Sequence, residues 1–209
     1  MTENTDRPII AFVDWDGVLN NADIVSALPN TKLMDKFMAQ GDQKSLSPIA
    51  VGYLNVLCHD NPQIRIVCSS TWRIESKSYV EKSLKKAHSR LEKASGLGKI
   101  PYKIRFANTP PEAWRTEPGF EYDLPRGLAI DKWLNDFGAD DQCYCIIDDD
   151  RDFFDWHLPR LIHTDPKRGL DLDAFIRAGK LLKDPPEDRQ MKLGLDLQPI
   201  YDAHGHLIP

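Results

Sequence analysis

Residues Ile9 to Asn20 read IIAFVDWDGVLN, an apolar run that stops abruptly at Asp14 and Asp16, followed by Gly17. The apolar half has the length and composition of a strand buried in a parallel sheet. Such strands deliver their succeeding residues to the sheet's carboxyl edge, where open α/β folds bind ligands. On extended chain, residues i and i+2 share a side, but a turn beginning at Asp16-Gly17 swings the second carboxylate away from the first. The two acids are therefore suited to different tasks. One carboxylate of such a pair can bind a hard cation and attack phosphorus, while its neighbour can donate and then remove a proton.

Two later apolar runs end in the same manner. Ile64 to Cys68 leads into Ser69, Ser70, Thr71, Trp72 and Arg73, and CYCII, from Cys143 to Ile147, leads into Asp148, Asp149 and Asp150. Strands alternating with helical segments predict an α/β fold, a parallel sheet flanked by helices. All carboxyl ends of such a sheet face one way, so the three polar endings meet in one crevice. Asp14 and one of the Asp148-Asp149 pair are then candidate ligands for Mg²⁺, which takes one or two protein carboxylates together with a substrate phosphate. Left alone, these acids raise one another's pKa; a divalent cation explains how they sit together ionised.

Around these strands the chain reads as one domain over residues 1–183. Residues 21–46 suggest a small cap, and residues 74–125 an insertion and loop. Ser47 caps and Pro48 opens a helix through Cys58, and a long helix from Ser76 is stopped by Gly96 and Gly98. Lys103 to Ala107 reads as a further strand before a Pro-rich loop. Arg126-Gly127 opens a helix that Gly138 ends, LPRLIHTD supplies a short strand, and Asp171 caps a last amphipathic helix. Residues 184–209 are expected to form a tail or hairpin.

The 209 residues carry 41% apolar and 28% charged side chains, the balance of a globular protein able to bury a substantial core. A net charge of -5 argues against a dedicated duplex-DNA binder. MTENTDRP is not a basic-then-apolar leader, and no run approaches the roughly 18 apolar residues of a membrane span, so a cytoplasmic location with no membrane partner is expected. Cys58, Cys68, Cys143 and Cys145 lack zinc spacing and read as reduced packing residues.

The ordered set DWDGV, VCSSTWR, Arg126 and IIDDD resembles the haloacid dehalogenase (HAD) superfamily of phosphatases, and this resemblance implies a HAD-like Rossmannoid fold with a small cap. It places the phosphoryl-accepting nucleophile on Asp14 and the general acid/base on Asp16. It puts a phosphoryl-binding hydroxyl on Ser69, with Ser70 as substitute, and the third-motif cation on Arg126, with Lys132 as fallback. It assigns Mg²⁺ to Asp14, the carbonyl of Asp16, Asp148 and Asp149. A closer likeness, through DGVLN, SSTWR, NTP, RGLAIDKWL, IIDDDRDF and LIHTDP over Ile9 to Leu182, is to the HAD domain of Swiss Army Knife RNA repair proteins. The chain differs from it in TWR for SWR, in a longer basic helix after the second motif and in the tail.

Other residues carry two readings. Arg73 either contacts substrate or covers Trp72, and Trp15 either offers a face to a base or packs under the cap. Asp152 supports the metal shell or caps a turn. Lys82, Lys85, Lys86, Arg90 and Lys93 read as a solvated helix face rather than a nucleic-acid stripe. Asn20 reads as a turn residue, and His157 and His163 as lone structural histidines. The expected function is a Mg²⁺-dependent phosphomonoesterase using an aspartyl phosphate, acting on a phosphorylated small molecule such as a nucleotide. A polynucleotide 3′-phosphatase acting on nucleic-acid ends is the alternative, and a catalytically silent HAD-like binding module is the weaker one.

Overall fold

A computed structural model describes residues 8–20, 46–96, 98–117, 126–138 and 143–186. Four strands, β1 (Ile9–Val13), β2 (Ile64–Cys68), β3 (Tyr144–Asp148) and β4 (Leu161–His163), form a parallel sheet in the order β2-β1-β3-β4. β1 lies between β2 and β3, and all five of its residues are buried. This agrees with its unbroken apolar run, since a strand covered on both faces needs no polar alternation.

Side-chain alternation along β1 divides the core. Ile9, Ala11 and Val13 join one apolar cluster with α1 (Pro48–Asp60), α2 (Lys77–Ser95) and α4 (Leu172–Lys183). Ile10 and Phe12 join a second cluster with α3 (Arg126–Phe137). Phe12 is fully buried, with the edge of Trp133 at 5.3 Å between ring centroids and Tyr144 at 6.0 Å.

The helices start where their capping chemistry says they should. The Ser47 hydroxyl accepts from Ala50 N at 3.1 Å with Pro48 in the first turn, and Asp171 accepts from Ala174 N at 2.9 Å. Ser76 caps α2, and Gly96 ends it with φ +67°, a left-handed conformation that a side chain would disfavour. Lys82, Lys85, Lys86 and Lys93 are exposed along α2, whose inward residues are Val80, Leu84, Ala87 and His88.

The strand expected over Lys103 to Ala107 is reduced to a single bridge, Phe106 to Ile66. Ile66 N donates to Arg105 O and Ala107 N to Ile66 O, so the segment borders β2 without becoming a full ladder. Upstream, Asn55 ties it to α1 by donating to Pro101 O and accepting from Lys103 N, and downstream Pro111–Trp114 turns into a 3₁₀ helix. The cap expected over 21–46 lies outside the described residues except for Leu46, as does the tail from 187. Among the described residues no helix is long and apolar enough to cross a membrane.

Phe12→Ala is expected to cost about 3–5 kcal/mol in chemical denaturation, because it empties a close-packed site between the sheet and α3. Ile49→Ala, at a half-exposed position on α1, is expected to stay within about 0.5 kcal/mol of the parent.

Candidate active site

Strand register brings the three polar endings together. Val13 pairs with Cys68 on one side and with Ile147 on the other, so Asp14, Ser69 and Asp148 each stand one residue past the same rung. Asp14 N donates to Ile147 O and Ser69 N to Val13 O, which carries the ladder into the site itself. All three side chains are buried, with Asp14 at 1% and Asp148 at 0% exposure.

One cation of the chain holds the two buried acids. Arg126, the first residue of α3, donates through one guanidinium nitrogen to Asp14 Oδ1 at 2.7 Å and to Asp148 Oδ2 at 2.9 Å. Its Nε lies 3.6 Å from Asp150 Oδ2. Asp152 accepts from the backbone N of Arg126 at 3.2 Å, so it braces the helix start from which the guanidinium projects. Asp148 Oδ1 is held by Asp150 N at 2.9 Å.

Asp14, Asp148 and Asp149 each present an oxygen, all within 4.8 Å of one another. Three carboxylates against one guanidinium leave two negative charges, which suits a divalent cation with oxygen ligands. Asp14 Oδ2 and Ser69 Oγ are buried without a hydrogen-bond partner among the described residues, as expected of atoms facing a ligand. Gly17 is shaped to the same cluster: its φ is +77°, and a Cβ there would run into the Asp149 carboxylate.

Burial, then the charge of Asp148, pushes the Asp14 carboxyl well above the usual carboxylate range, and Arg126 only partly opposes this. Burial likewise raises Asp148 against the pull of Arg126, and raises Asp149. For Arg126, burial acts to lower the pKa but the two carboxylates outweigh it, so the guanidinium stays charged.

Asp16 is exposed, at the start of the turn that contains Gly17. Its Oδ1 accepts from Trp72 Nε1 and from Asn20 Nδ2, and its Oδ2 from the Thr71 hydroxyl, each at 3.2 Å. Its side chain is not part of the three-acid group. Asn20 and Trp72 were not readable as partners of Asp16 from spacing. The one available signal was that both follow strand ends level with each other.

The other candidates have defined places. Ser70 Oγ accepts from Trp72 N at 3.4 Å and caps the 3₁₀ turn Thr71–Ile74. Arg73 donates to Ser69 O at 2.7 Å and to Thr116 Oγ1 at 3.4 Å, which braces the loop that carries Ser69. Lys132 lies apart from the acids, on an exposed face with Asp136 at 2.8 Å and Glu117 at 3.2 Å. Trp15 is buried and stacked against Phe106 at 6.3 Å, a packing role. His157, which spacing left without a partner, is buried with Nε2 2.9 Å from Asp131 Oδ1; His163 Nε2 lies 3.0 Å from Asp149 O. Burial pushes the Cys58 and Cys145 thiols up to about 12, consistent with packing rather than reactivity.

Residues 10–175 match the family described as the HAD domain in Swiss Army Knife RNA repair proteins. The chain belongs to this family. No curated protein and no solved structure matches it. The matched span of this HAD domain runs from within β1 into α4, and so contains β2, β3, β4, all of β1 but Ile9, and every acid of the site.

Without added divalent cation, stability of the domain is expected to fall as pH rises from the ordinary carboxylate value of 3.8 through neutrality. The folded site retains protons on its raised carboxyls that the unfolded chain has released, so higher pH favours unfolding. Thermal melts between about pH 5 and about pH 8 in EDTA should show this slope, Mg²⁺ should flatten it, and Asp14→Asn should reduce it. A slope unchanged by both would contradict the electrostatics described.

Proposed function

We propose that this domain is a Mg²⁺-dependent phosphomonoesterase that works through an aspartyl phosphate on Asp14, its substrate a phosphorylated RNA end. The observation that carries the reading is the pair of buried, unpartnered oxygens, Asp14 Oδ2 and Ser69 Oγ, level with each other beside Arg126. Leaving each unmet costs about 1–3 kcal/mol, and a phosphoryl group at the crevice offers phosphorus to one and an acceptor oxygen to the other.

In the first step Asp14 forms a bond to phosphorus as the ester P–O bond breaks, and the proton of Asp16 moves to the departing oxygen. In the second step Asp16 takes a proton from water as that water attacks phosphorus, which releases phosphate and restores the Asp14 carboxylate. Ser69 donates to a phosphoryl oxygen throughout, and Arg126 keeps Asp14 oriented and opposes its protonation. A divalent cation held by Asp14, Asp148 and Asp149 supplies positive charge against the phosphoryl oxygens when bound.

The RNA-repair description of the family supports a strand end as substrate. The net charge of -5 supports a free nucleotide as the second reading, since a long polyanion gains little from an acidic partner.

Phosphate release should be measured from 3′- and 5′-phosphorylated oligoribonucleotides and from the matching nucleoside monophosphates. EDTA and Asp14→Asn are each expected to remove turnover, by more than about 10³-fold. Turnover persisting in both would refute the assignment, and faster turnover of monophosphates than of strand ends would select the second reading. Gly17→Ala is expected to fold less stably and to lose at least about 10-fold in activity, because it displaces Asp149.

A further inference from the structure

We infer that Trp72, assisted by Thr71, is a positioning residue that selects which oxygen of Asp16 carries the proton and aims it at the leaving group. This rests on the phosphomonoesterase reading above and extends it to two residues outside the acid cluster. A carboxylate has about four acceptor sites. On Asp16 two of them, both on Oδ1, are taken by Trp72 Nε1 and Asn20 Nδ2, and a third, on Oδ2, by the Thr71 hydroxyl. Among the described residues, the remaining site is on Oδ2.

The donors differ in kind, and that difference decides the matter. An indole N–H only donates, so the Oδ1 site that Trp72 fills accepts no proton, and a proton at the other Oδ1 site requires the Asn20 amide to turn over and accept. A threonine hydroxyl rotates and can donate or accept, so it tolerates either protonation state of Oδ2. Trp72 is also unable to turn away. It is 1% exposed, its ring lies 6.1 Å from that of Tyr79, its backbone N–H donates to the Ser70 hydroxyl and its carbonyl accepts from Glu75 N. Thr71 and Trp72 directly follow Ser69 and Ser70, so the segment that presents the phosphoryl-binding hydroxyl also fixes the acid. In the first step the Oδ2–H bond breaks, the leaving oxygen gains that proton, the ester P–O bond breaks and the bond from Asp14 to phosphorus forms.

The test compares leaving groups with enzyme in excess, so that only the first step is read. p-Nitrophenyl phosphate expels a stable anion that needs no proton, whereas an alkyl phosphate does. Trp72→Phe is expected to slow the alkyl phosphate that the wild type turns over fastest by about 10-fold or more, and the aryl ester by less than about 3-fold. Thr71→Val, at an exposed position, should show the same selectivity at smaller size, and Thr71→Ser should restore the parent rate. Thermal melts establish that the variants are folded. If Trp72→Phe does not fold, Thr71→Val decides. Equal slowing of both esters, or of neither, in a folded variant overturns the positioning role while leaving the hydrolase reading intact. A wild type that releases neither leaving group overturns both.

Discussion

Two carboxylates, Asp14 and Asp148, are buried side by side on a single guanidinium, and the rest of the structure is arranged to make that arrangement tenable. Burying ionised acids is costly unless they are paired and hydrogen-bonded. Arg126 bonds to both, yet both remain raised toward the protonated form because burial outweighs the pull of the one guanidinium they share. The site is therefore electrostatically incomplete in its own residues. A third acid, Asp149, adds to the negative charge gathered there.

Much of the fold serves this pair. The parallel register sets Asp14 and Asp148 level with Ser69, and β4 continues the pairing to His163, opposite Asp148. Asp152 fixes the start of α3 so that Arg126 enters at the right height, and Gly17 leaves room for the Asp149 carboxylate where any side chain would intrude. The same turn that needs Gly17 brings Asp16 to a separate set of donors from Asn20, Thr71 and Trp72. Asp14 and Asp16 come from positions two apart and yet occupy different electrostatic surroundings, a division that suits the separate roles proposed for them.

Strand and helix positions near the site were readable because each had a local cause. Unbroken apolar runs ended at acids or serines, and Ser47, Ser76 and Asp171 marked helix starts by capping. The strand expected at Lys103 to Ala107 came down to one bridge because Asn55 anchors the segment to α1, a tertiary contact that no local pattern shows. The convergence of Asp14, Ser69, Arg126 and Asp148 followed from topology, since parallel strands share an edge. What periodicity could not reveal was how side chains use that edge. The grip of Trp72 on Asp16, the bracing of Ser69 by Arg73 and the burial of His157 on Asp131 all depend on side-chain geometry that spacing does not encode.

The central claim is that Asp14 becomes covalently phosphorylated. Protein acid-quenched during turnover of p-nitrophenyl phosphate in Mg²⁺ can be digested and its peptides weighed by mass spectrometry. The account predicts a hydroxylamine-labile phosphoryl group on the peptide containing Asp14, absent from Asp14→Asn. Steady phosphate release with no protein-bound phosphoryl group, or with that group on another residue, would contradict it.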